Sequence, residues 1–326
     1  MKQESFFLIQ QAADLLQQGR LVAFPTETVY GLGADACNEA AVRAIFAAKN
    51  RPADHPLIVH IADVSQLSQW AMDVPPAAMI LAEKFWPGPL TMIFKKQLSV
   101  LDVVTGGQST VGVRIPRHPV ARALLNAFGG GVAAPSANQF THLSPTSAKD
   151  VEEELKNKVD LILDGGMCDV GLESTIVDMT KAIPVILRPG MITAEMISNT
   201  LGIPVTTRAK EIAADVRTPG MHHLHYAPTT KTMLVDADNI LSKLSQTNDK
   251  QIALLSHHPL PSPLPSHIHV IPMPSTAAHY AHDLYHTLRE LDHQHFDCIL
   301  IAEVPADAEW EAIRDRLKKA TGGAIF

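Results

Sequence analysis

Threonine and glycine residues follow the first apolar segment of the chain in an order that could bind a ligand. Residues 21–24 are apolar, and residues 25–33 then read Pro-Thr-Glu-Thr-Val-Tyr-Gly-Leu-Gly. In open α/β sheets, ligands bind at the carboxyl ends of strands, because backbone N–H groups and the next helix converge there. An ordinary turn, in which threonine caps and glycine relieves strain, explains the same residues. The motif therefore indicates a ligand site only if other segments agree with it.

Two cations stand two residues apart where a predicted helix ends. The order is Lys49-Asn50-Arg51-Pro52, in which lysine could act as a point charge and arginine as a two-pronged donor to a phosphate. The helix dipole also favours cations at helix C-termini, which is the commoner reason for finding them there. His60 ends the next predicted strand, over residues 56–61, and a single histidine is more often a structural group than a ligand.

An arginine lies within the apolar strand predicted over residues 111–115. Arginine is rarely buried without an anion, so Arg114 requires a carboxylate or phosphate, either from a ligand or from an Asp or Glu of the chain. Small and polar residues follow another predicted strand at 134–138, where a ligand could approach the backbone closely. Ser144, Ser174 and Arg188 are further hydroxyl or cationic residues near predicted strand ends. Hydroxyl groups and cations at successive strand ends suit an anionic ligand rich in oxygen.

Several common motifs are absent from the sequence. It contains neither a GxxxxGKS/T phosphate-binding loop nor a GxGxxG, so a nucleotide would bind in another way. Histidines are abundant after residue 220, among them His222, His223, His225, His257 and His258, but no cysteine pattern accompanies them. We therefore expect no metal ion held by the protein itself.

Apolar segments that resemble strands alternate with amphipathic helices along most of the chain. We predict a mixed α/β domain over residues 1–205, with Asn38 capping a helix, because some links between strands are too short for helical crossovers. Residues 206–231 show no sustained periodicity and carry turn residues, which predicts a linker or lid. Residues 232–326 alternate strands and helices again, which predicts a smaller α/β domain with a parallel sheet.

Composition and charge argue against several classes of protein. Hydrophobic residues make up 46% of the 326 residues, enough for two cores, yet no apolar run reaches the roughly 18 residues that span a membrane. The three cysteines are scattered, which indicates a reducing compartment, so we expect a cytoplasmic protein. The net charge of −7 argues against a dedicated nucleic-acid binder.

Taken together, these segments resemble a known family. The paired Lys-x-Arg and Ser-x-Asn motifs of threonylcarbamoyl-AMP synthases are matched by Lys49, Arg51, Ser136 and Asn138. Residues 218–228 and the chain beyond them resemble the long, two-domain form of that enzyme. The further segments that resemble its YrdC-like domain are residues 25–33, 49–52, 56–60, 86–91 and 113–116.

The resemblance implies a fold and a reaction. The first domain would be a YrdC-like twisted mixed sheet with helices around a positively charged cavity, and the second a smaller Rossmann-like domain with a parallel sheet. L-threonine, bicarbonate and ATP, the last with Mg²⁺, would give threonylcarbamoyl-adenylate and pyrophosphate. The product would pass to a tRNA threonylcarbamoyl-transferase complex, and a weak contact with tRNA could accompany the transfer. No membrane contact is expected.

The resemblance also implies roles for individual residues. Lys49 and Arg51 would form the catalytic pair. The residues implied for threonine are Thr28, His60, Arg114, Ala134 and Ser174. The residues implied for ATP are Lys49, Arg51, His55, Thr110, Ser136, Asn138, Ser144, Arg188 and Tyr226.

One departure from the family and three alternatives stay open. The family often carries basic residues ahead of the His-Tyr-Ala-Pro at 225–228, where this chain has His222, His223 and Leu224. A double-stranded RNA-binding module would bind RNA in a salt-sensitive manner without ATP turnover. A carbamoyl-adenylate-forming enzyme of hydrogenase maturation would carry cysteine-rich zinc segments that this chain lacks. A relative that binds nucleotide without synthase activity is the third alternative, although the full Lys-x-Arg and Ser-x-Asn set argues against it.

Overall fold

The chain divides into two compact units, residues 1–140 with 144–221 and residues 141–143 with 222–326. A computed structural model describes residues 3–207, 216–220, 225–236, 251–260 and 264–325, together with Ile240 and Leu244. The segment 206–231 is shared between the two units, and its predicted role as a linker or lid stays a prediction. His222, His223 and Leu224 lie outside the described residues.

Short helices and strands alternate along the first unit. Its helices are α1 (Gln3–Gln17), α2 (Glu39–Lys49), α3 (Pro76–Phe85), α4 (Asp102–Thr105), α5 (Pro119–Phe128), α6 (Ala148–Leu155) and α7 (Ala194–Leu201). Its strands are β1 (Val22–Phe24), β2 (Gly31–Asp35), β3 (Ile58–His60), β4 (Ala71–Met72), β5 (Leu90–Lys96), β6 (Thr110–Arg114), β7 (Val132–Ala133), β8 (Leu161–Ile162), β9 (Thr175–Asp178), β10 (Val185–Arg188) and β11 (Thr206–Thr207).

These strands form one mixed sheet. Within the described part of the chain their order is β11-β10-β9-β5-β6-β3-β7-β2-β1-β8, and β4 pairs with β5. The pairs β1–β8, β3–β6, β5–β9 and β10–β11 are parallel, and the other pairs are antiparallel. The mixed sheet predicted from the short links is confirmed. Because β3 and β6 run in parallel, His60 and Arg114 are neighbours at the same edge.

Helix α2 is capped at both ends, and its C-terminus lies at the candidate cations. Asn38 accepts a hydrogen bond from the backbone N–H of Ala41, which confirms the predicted N-cap. At the other end Asn50 adopts the left-handed conformation, with φ of 51°, as helix-terminating residues often do. Lys49 is therefore the last helical residue, and Arg51 opens the loop that leads to β3.

The pairing of β1 with β2 depends on a close approach at Gly33. A Cβ atom there would lie 2.8 Å from the side chains of Phe24 and Val132. Both belong to a core cluster that also contains Leu16 of α1 and Leu125 of α5. Since protein cores are closely packed, any side chain at Gly33 would displace that cluster. The glycine of the motif thus has a structural role.

The second unit contains a smaller, parallel sheet. Its strands β12 (Thr232–Val235), β13 (Ile252–Ser256), β14 (Ile268–Pro272) and β15 (Cys298–Ala302) have the order β12-β15-β13-β14, and every pair is parallel. The helices described there are α8 (Ala277–Asp292) and α9 (Glu311–Ala320). The parallel sheet predicted from the sequence is confirmed. Within the described residues of either unit, no helix is both long and apolar enough to cross a membrane.

Candidate active site

The hydroxyl of Thr26 makes several hydrogen bonds within the loop after β1. Thr26 Oγ1 accepts hydrogen bonds from the backbone N–H groups of Thr28 (3.1 Å) and Val29 (3.2 Å), and it lies 2.6 Å from the Val29 carbonyl oxygen. The hydroxyl oxygen of Thr28 lies 2.8 Å from Thr26 Oγ1. Thr26, Glu27 and Thr28 are all buried. The loop therefore holds a carboxylate and a hydroxyl in fixed positions inside the protein.

The anion that Arg114 requires is supplied by Glu27. Arg114 Nη2 donates to Glu27 Oε1 at 2.7 Å, and both side chains are buried. The other carboxylate oxygen accepts from the backbone N–H of Arg117 at 2.8 Å. Burial raises the pKa of Glu27. The charge and hydrogen bond of Arg114, together with the hydrogen bond from the Arg117 N–H, lower it by more, so the pKa lies below its ordinary value. The pair is ionised at neutral pH.

Arg114 also contacts two other segments of the site. Its Nη1 donates to Thr28 Oγ1 at 2.9 Å, and its Nε donates to the Gly88 carbonyl oxygen at 3.2 Å. Two residues predicted for threonine, Thr28 and Arg114, are thus in direct contact. The guanidinium connects the loop after β1 with the segment that precedes β5.

His60 is a buried, neutral imidazole beside Arg114. It is 4% exposed, and among the described residues its Nδ1 has no hydrogen-bond partner. Burial, followed by the charge of Arg114, lowers its pKa to about 3. The ring lies edge-on to Phe24 at 6.0 Å between centroids. His60 can therefore offer a hydrogen bond to a ligand at neutral pH, but not a positive charge.

The low pKa of His60 makes folding sensitive to acid. The unfolded state takes up a proton as the pH falls below about 6.5 and the folded state does not, so the free energy of unfolding should fall by about 2 kcal/mol between pH 7 and pH 5 from this residue. We expect His60→Gln, which cannot titrate, to lose less stability over that range in urea unfolding. His286→Gln, a change at an exposed histidine, should behave like the wild type. An equal acid sensitivity in all three proteins would contradict this assignment.

Ser174 lies in a second group of polar residues at the start of β9. Its hydroxyl is 2.8 Å from Thr91 Oγ1, and its carbonyl oxygen accepts from both Nε (3.1 Å) and Nη2 (2.9 Å) of Arg188. The backbone N–H of Thr175 donates to the Pro89 carbonyl oxygen. Since Arg114 contacts the adjacent Gly88, the segment 88–89 connects this group to Arg114. Ser174 and Arg188, predicted for threonine and ATP respectively, are brought together.

Lys49 contacts the turn that carries the Ser-x-Asn motif. Its ammonium donates to the carbonyl oxygens of Ser136 and Asn138, both at 2.5 Å, and lies 3.4 Å from Asn138 Oδ1. Lys49 is 2% exposed. Burial, and then the charge of Arg51, lower its pKa well below the usual range. The structure thus brings Lys49, Ser136 and Asn138 together, with the ammonium on the backbone of the turn.

Arg51, His55 and Thr110 occupy three different positions near the end of α2 and the start of β6. Arg51 is buried, and its Nη2 donates to the Pro56 carbonyl oxygen at 3.0 Å. His55 is partly exposed and packs edge-on against Phe140 at 5.3 Å. Thr110 is partly exposed as the first residue of β6. Their assignment to ATP stays a prediction.

Ala134 lies where two backbone segments approach closely. Its N–H donates to the Ile58 carbonyl oxygen at 2.9 Å, and a Cβ atom at Gly31 would lie 3.3 Å from the Cβ of Ala134. Gly31 itself pairs with Ser136. A side chain at position 31 would therefore crowd Ala134.

Ser144 contacts a buried carboxylate. Its hydroxyl donates to Glu173 Oε1 at 2.6 Å, and both residues are buried. Glu173 directly precedes Ser174, so its carboxylate lies near the second polar group. Among the residues that the structure describes, no three His, Cys, Asp or Glu side chains are grouped to hold a metal ion.

Tyr226 belongs to the second unit. Its backbone is in the left-handed region, with φ of 58°, and its ring is buried. The ring packs against His225 (4.1 Å) and Tyr285 (5.9 Å), and the guanidinium of Arg316 lies 5.2 Å from its centroid. The predicted contact of Tyr226 with ATP stays a prediction.

Comparison with known proteins assigns both parts of the chain. Residues 14–190 match the protein-family model of Sua5, YciO and YrdC proteins, described as "Telomere recombination". Residues 192–322 match the one described as "Threonylcarbamoyl-AMP synthase, C-terminal domain". The chain belongs to the threonylcarbamoyl-AMP synthase family.

Membership of the threonylcarbamoyl-AMP synthase family extends over nearly the whole chain. The chain is 39% identical over 329 residues to the threonylcarbamoyl-AMP synthase of Pyrococcus abyssi, which covers 98% of this chain and 95% of the relative. It is 39% identical to that of Bacillus subtilis, with 98% and 94% covered. A crystal structure of P. abyssi Sua5 complexed with L-threonine matches with a TM-score of 0.90 and 38% identity, covering 98% of this chain and 96% of that one.

Three polar residues of the site in this threonylcarbamoyl-AMP synthase family member were given no role by the sequence. They are Glu27, Thr91 and Glu173. Glu27 stands between the two threonines of the first motif and Glu173 directly before Ser174. Their place next to predicted ligand residues was a signal, but a carboxylate in a turn has many ordinary explanations.

Proposed function

We propose that this protein joins L-threonine, bicarbonate and ATP into threonylcarbamoyl-adenylate, with release of pyrophosphate. The observation that carries the proposal is the 39% identity, over 98% of the chain, to a threonylcarbamoyl-AMP synthase. The matching P. abyssi Sua5 structure is a complex with L-threonine, which supports threonine as a substrate here. The buried cations and hydroxyls of the site are suited to a carboxylate and to phosphates.

Threonine would bind around Arg114. A guanidinium binds a carboxylate through paired N–H donors, so Arg114 would receive the carboxylate of threonine. The neutral imidazole of His60 and the hydroxyls of Thr28 and Ser174, all of them buried, would supply hydrogen bonds for its other polar atoms. Ala134, whose N–H donates to the Ile58 carbonyl oxygen of β3, would complete the threonine set.

The nucleotide would bind near the Ser-x-Asn turn. Arg51 follows the turn's anchor Lys49 by two residues, and its guanidinium supplies fixed positive charge for a phosphate. Ser136 and Asn138 lie on the turn, and Ser144 and Arg188 would complete the set. His55, Thr110 and Tyr226 are the remaining residues that we propose for ATP.

The chemistry requires two anions to meet. The threonine amine and bicarbonate first form N-carboxy-threonine with loss of water. A carbamate oxygen then bonds to the α-phosphorus of ATP, while the bond from that phosphorus to the β-phosphate oxygen breaks and pyrophosphate leaves. Fixed cations lower the repulsion between the anions, and alignment supplies much of the remaining acceleration. The side chains need to bind, align and exclude water, because carbamates and mixed anhydrides hydrolyse readily.

Mg²⁺ would enter the site with ATP. This ion prefers oxygen ligands and usually binds substrate phosphates together with one or two carboxylates. Glu173 offers a carboxylate within the site, and its Oε1 accepts from the Ser144 hydroxyl at 2.6 Å. When bound, the ion would neutralise phosphate charge. We propose Glu173 as the residue that contacts it.

The product is an unstable mixed anhydride, so it must be used quickly. We propose that a tRNA threonylcarbamoyl-transferase complex in the cytoplasm receives it, and that any contact of this chain with tRNA is weak. The net charge of −7 supports the last point, because a dedicated nucleic-acid surface is usually basic.

Pyrophosphate release from MgATP and bicarbonate tests the proposal, with threonine, serine or no amino acid present. We expect release that requires both threonine and bicarbonate. Arg51→Ala should lower the rate about 100- to 1000-fold, as loss of one preorganised donor at a reacting group does. The control is Arg43→Ala on the same helix, since Arg43 is exposed and contacts Glu39, and it should keep the wild-type rate.

Other outcomes would favour the alternatives. Nucleotide binding without threonine-dependent release would indicate a binding protein that lacks synthase activity. Salt-sensitive binding of double-stranded RNA without ATP turnover would indicate an RNA-binding module. A normal rate in Arg51→Ala would contradict only the phosphate-binding role of Arg51, and not the proposed reaction.

A further inference from the structure

Glu27 is a buried carboxylate that contacts the candidate threonine site without facing solvent. We infer that Glu27 is a positioning residue, which holds the guanidinium of Arg114 in the orientation that receives the threonine carboxylate. This inference rests on the proposed function, because it takes threonine as the ligand of Arg114. It assigns Glu27 a role in substrate affinity in addition to its role in stability.

The two carboxylate oxygens of Glu27 have different partners. Oε1 accepts from Arg114 Nη2 at 2.7 Å, and Oε2 accepts from the backbone N–H of Arg117 at 2.8 Å. The backbone contact fixes the carboxylate, since a main-chain donor just after β6 cannot rotate away. The carboxylate in turn fixes the guanidinium. Glu27 is therefore a rigid link from the backbone to the charged end of Arg114.

The contacts of Arg114 leave two of its N–H donors for a ligand. A guanidinium carries five N–H bonds, and three of them point to Glu27 Oε1, Thr28 Oγ1 and the Gly88 carbonyl oxygen. The other two, one on each terminal nitrogen, have no acceptor among the described residues, and a carboxylate could accept from them. His60 pairs with Arg114 in the sheet and has an unpartnered Nδ1 among the described residues. The two residues are therefore neighbours at the ends of β3 and β6.

Glu27 acts on a bound amino acid in two opposing ways. Its charge weakens the attraction between Arg114 and an incoming carboxylate. Its hydrogen bond prevents the guanidinium from turning away from the ligand. We expect orientation to outweigh repulsion, because a misplacement of about 1 Å at an oriented contact can cost about 100-fold in rate. The threonine ammonium, which is attracted by Glu27, offsets part of the repulsion.

The test compares the KM for threonine with the KM for ATP in Glu27→Gln. The variant keeps the size of the side chain, but its single carbonyl oxygen can accept from only one of Arg114 and Arg117. Loss of one hydrogen bond to a charged group should raise the KM for threonine about 10- to 100-fold. The KM for ATP should stay unchanged. Glu27→Asp, which keeps the charge on a shorter side chain, should restore part of the threonine affinity.

Two comparisons separate positioning from a general loss of stability. Asp178→Asn changes another buried carboxylate, at the end of β9 that is far from Ser174. Asp178 accepts hydrogen bonds from the hydroxyl and the N–H of Thr180. It should lower the unfolding midpoint without changing the KM for threonine. In an Arg114→Lys background, Glu27→Gln should add little, because lysine has no planar fork to orient.

Each outcome bears on one claim. A wild-type protein without threonine-dependent pyrophosphate release would overturn the proposed function. With an active wild type, an unchanged or lower KM for threonine in Glu27→Gln would overturn the positioning role. An equal rise in the KM for ATP would do the same, because it would indicate a general distortion. If Glu27→Gln does not fold, the same comparison with Glu27→Asp decides, and a wild-type KM for threonine there would overturn the inference.

Discussion

Lys49→Met is expected to remove most threonine-dependent pyrophosphate release and to destabilise the first unit at the same time. Methionine keeps the packing of the stem but has no donor, so the carbonyl oxygens of Ser136 and Asn138 would lose the ammonium that contacts them. An unsatisfied buried acceptor costs about 1–3 kcal/mol, so the pair should cost about 2–6 kcal/mol in urea unfolding. The turn that carries Ser136 would then shift, and we expect a loss of activity of about 100-fold or more.

The joint loss of stability and activity decides how Lys49 acts. If the ammonium holds the turn, the two losses should appear together. If it leaves the turn to meet a phosphate, activity should fall at nearly unchanged stability, and our structural assignment would be wrong. Lys158→Met is the matched control, since exposed Lys158 donates to the Ala48 carbonyl oxygen at 3.2 Å. It should change the free energy of unfolding by less than about 0.5 kcal/mol.

The sequence singled out charged residues that the structure buries, but not what those charges contact. An arginine in an apolar strand had to have an anion, and the chain supplies one in Glu27, which lies 87 residues earlier. Lys49 was predicted as a phosphate ligand, and its ammonium lies on a turn 87 to 89 residues later. Contacts over such distances depend on the register of the mixed sheet, which residue spacing does not determine.

Local features can be predicted from the sequence because they depend on neighbouring residues. The Asn38 cap follows from short-range hydrogen bonding and is confirmed. Residues 141–143 group with the second unit, although they lie inside the segment predicted as the first domain. No composition change marks those residues, so the sequence carries no signal of that grouping. The strand predicted over 56–61 is shorter, Ile58–His60, because prolines and turns flank it.

Arg114→Met is expected to abolish threonine-dependent pyrophosphate release. It should also lower the free energy of unfolding by about 3–5 kcal/mol at pH 7. The stability loss follows because Glu27 would remain buried without its cation. Activity would fall because methionine offers no donor to the threonine carboxylate. Urea unfolding and pyrophosphate release measure the two effects in the same protein.

The stability loss should shrink as the pH falls from 7 to 5. In the wild type, Arg114 keeps the pKa of Glu27 below its ordinary value, so the stability from this pair is lost only under more acidic conditions. Without Arg114, burial raises the pKa of Glu27, and the folded variant takes up a proton that the unfolded chain does not. Lower pH therefore stabilises the folded Arg114→Met variant relative to its unfolded state. If the difference in the free energy of unfolding between the wild type and Arg114→Met stays constant from pH 7 to pH 5, Glu27 is not left as a buried, unpaired charge in the variant, and this explanation is wrong.

Adding Glu27→Gln to Arg114→Met separates the structural role of the pair from its role in binding. The double variant has no buried charge at this position, and the glutamine carbonyl can still accept from the Arg117 N–H. Replacing both members of a buried ion pair is often nearly neutral, so most of the lost stability should return. Threonine-dependent release should not return, since no group is left to bind the carboxylate. Activity restored along with stability would mean that Arg114 holds the fold, and that threonine is recognised elsewhere.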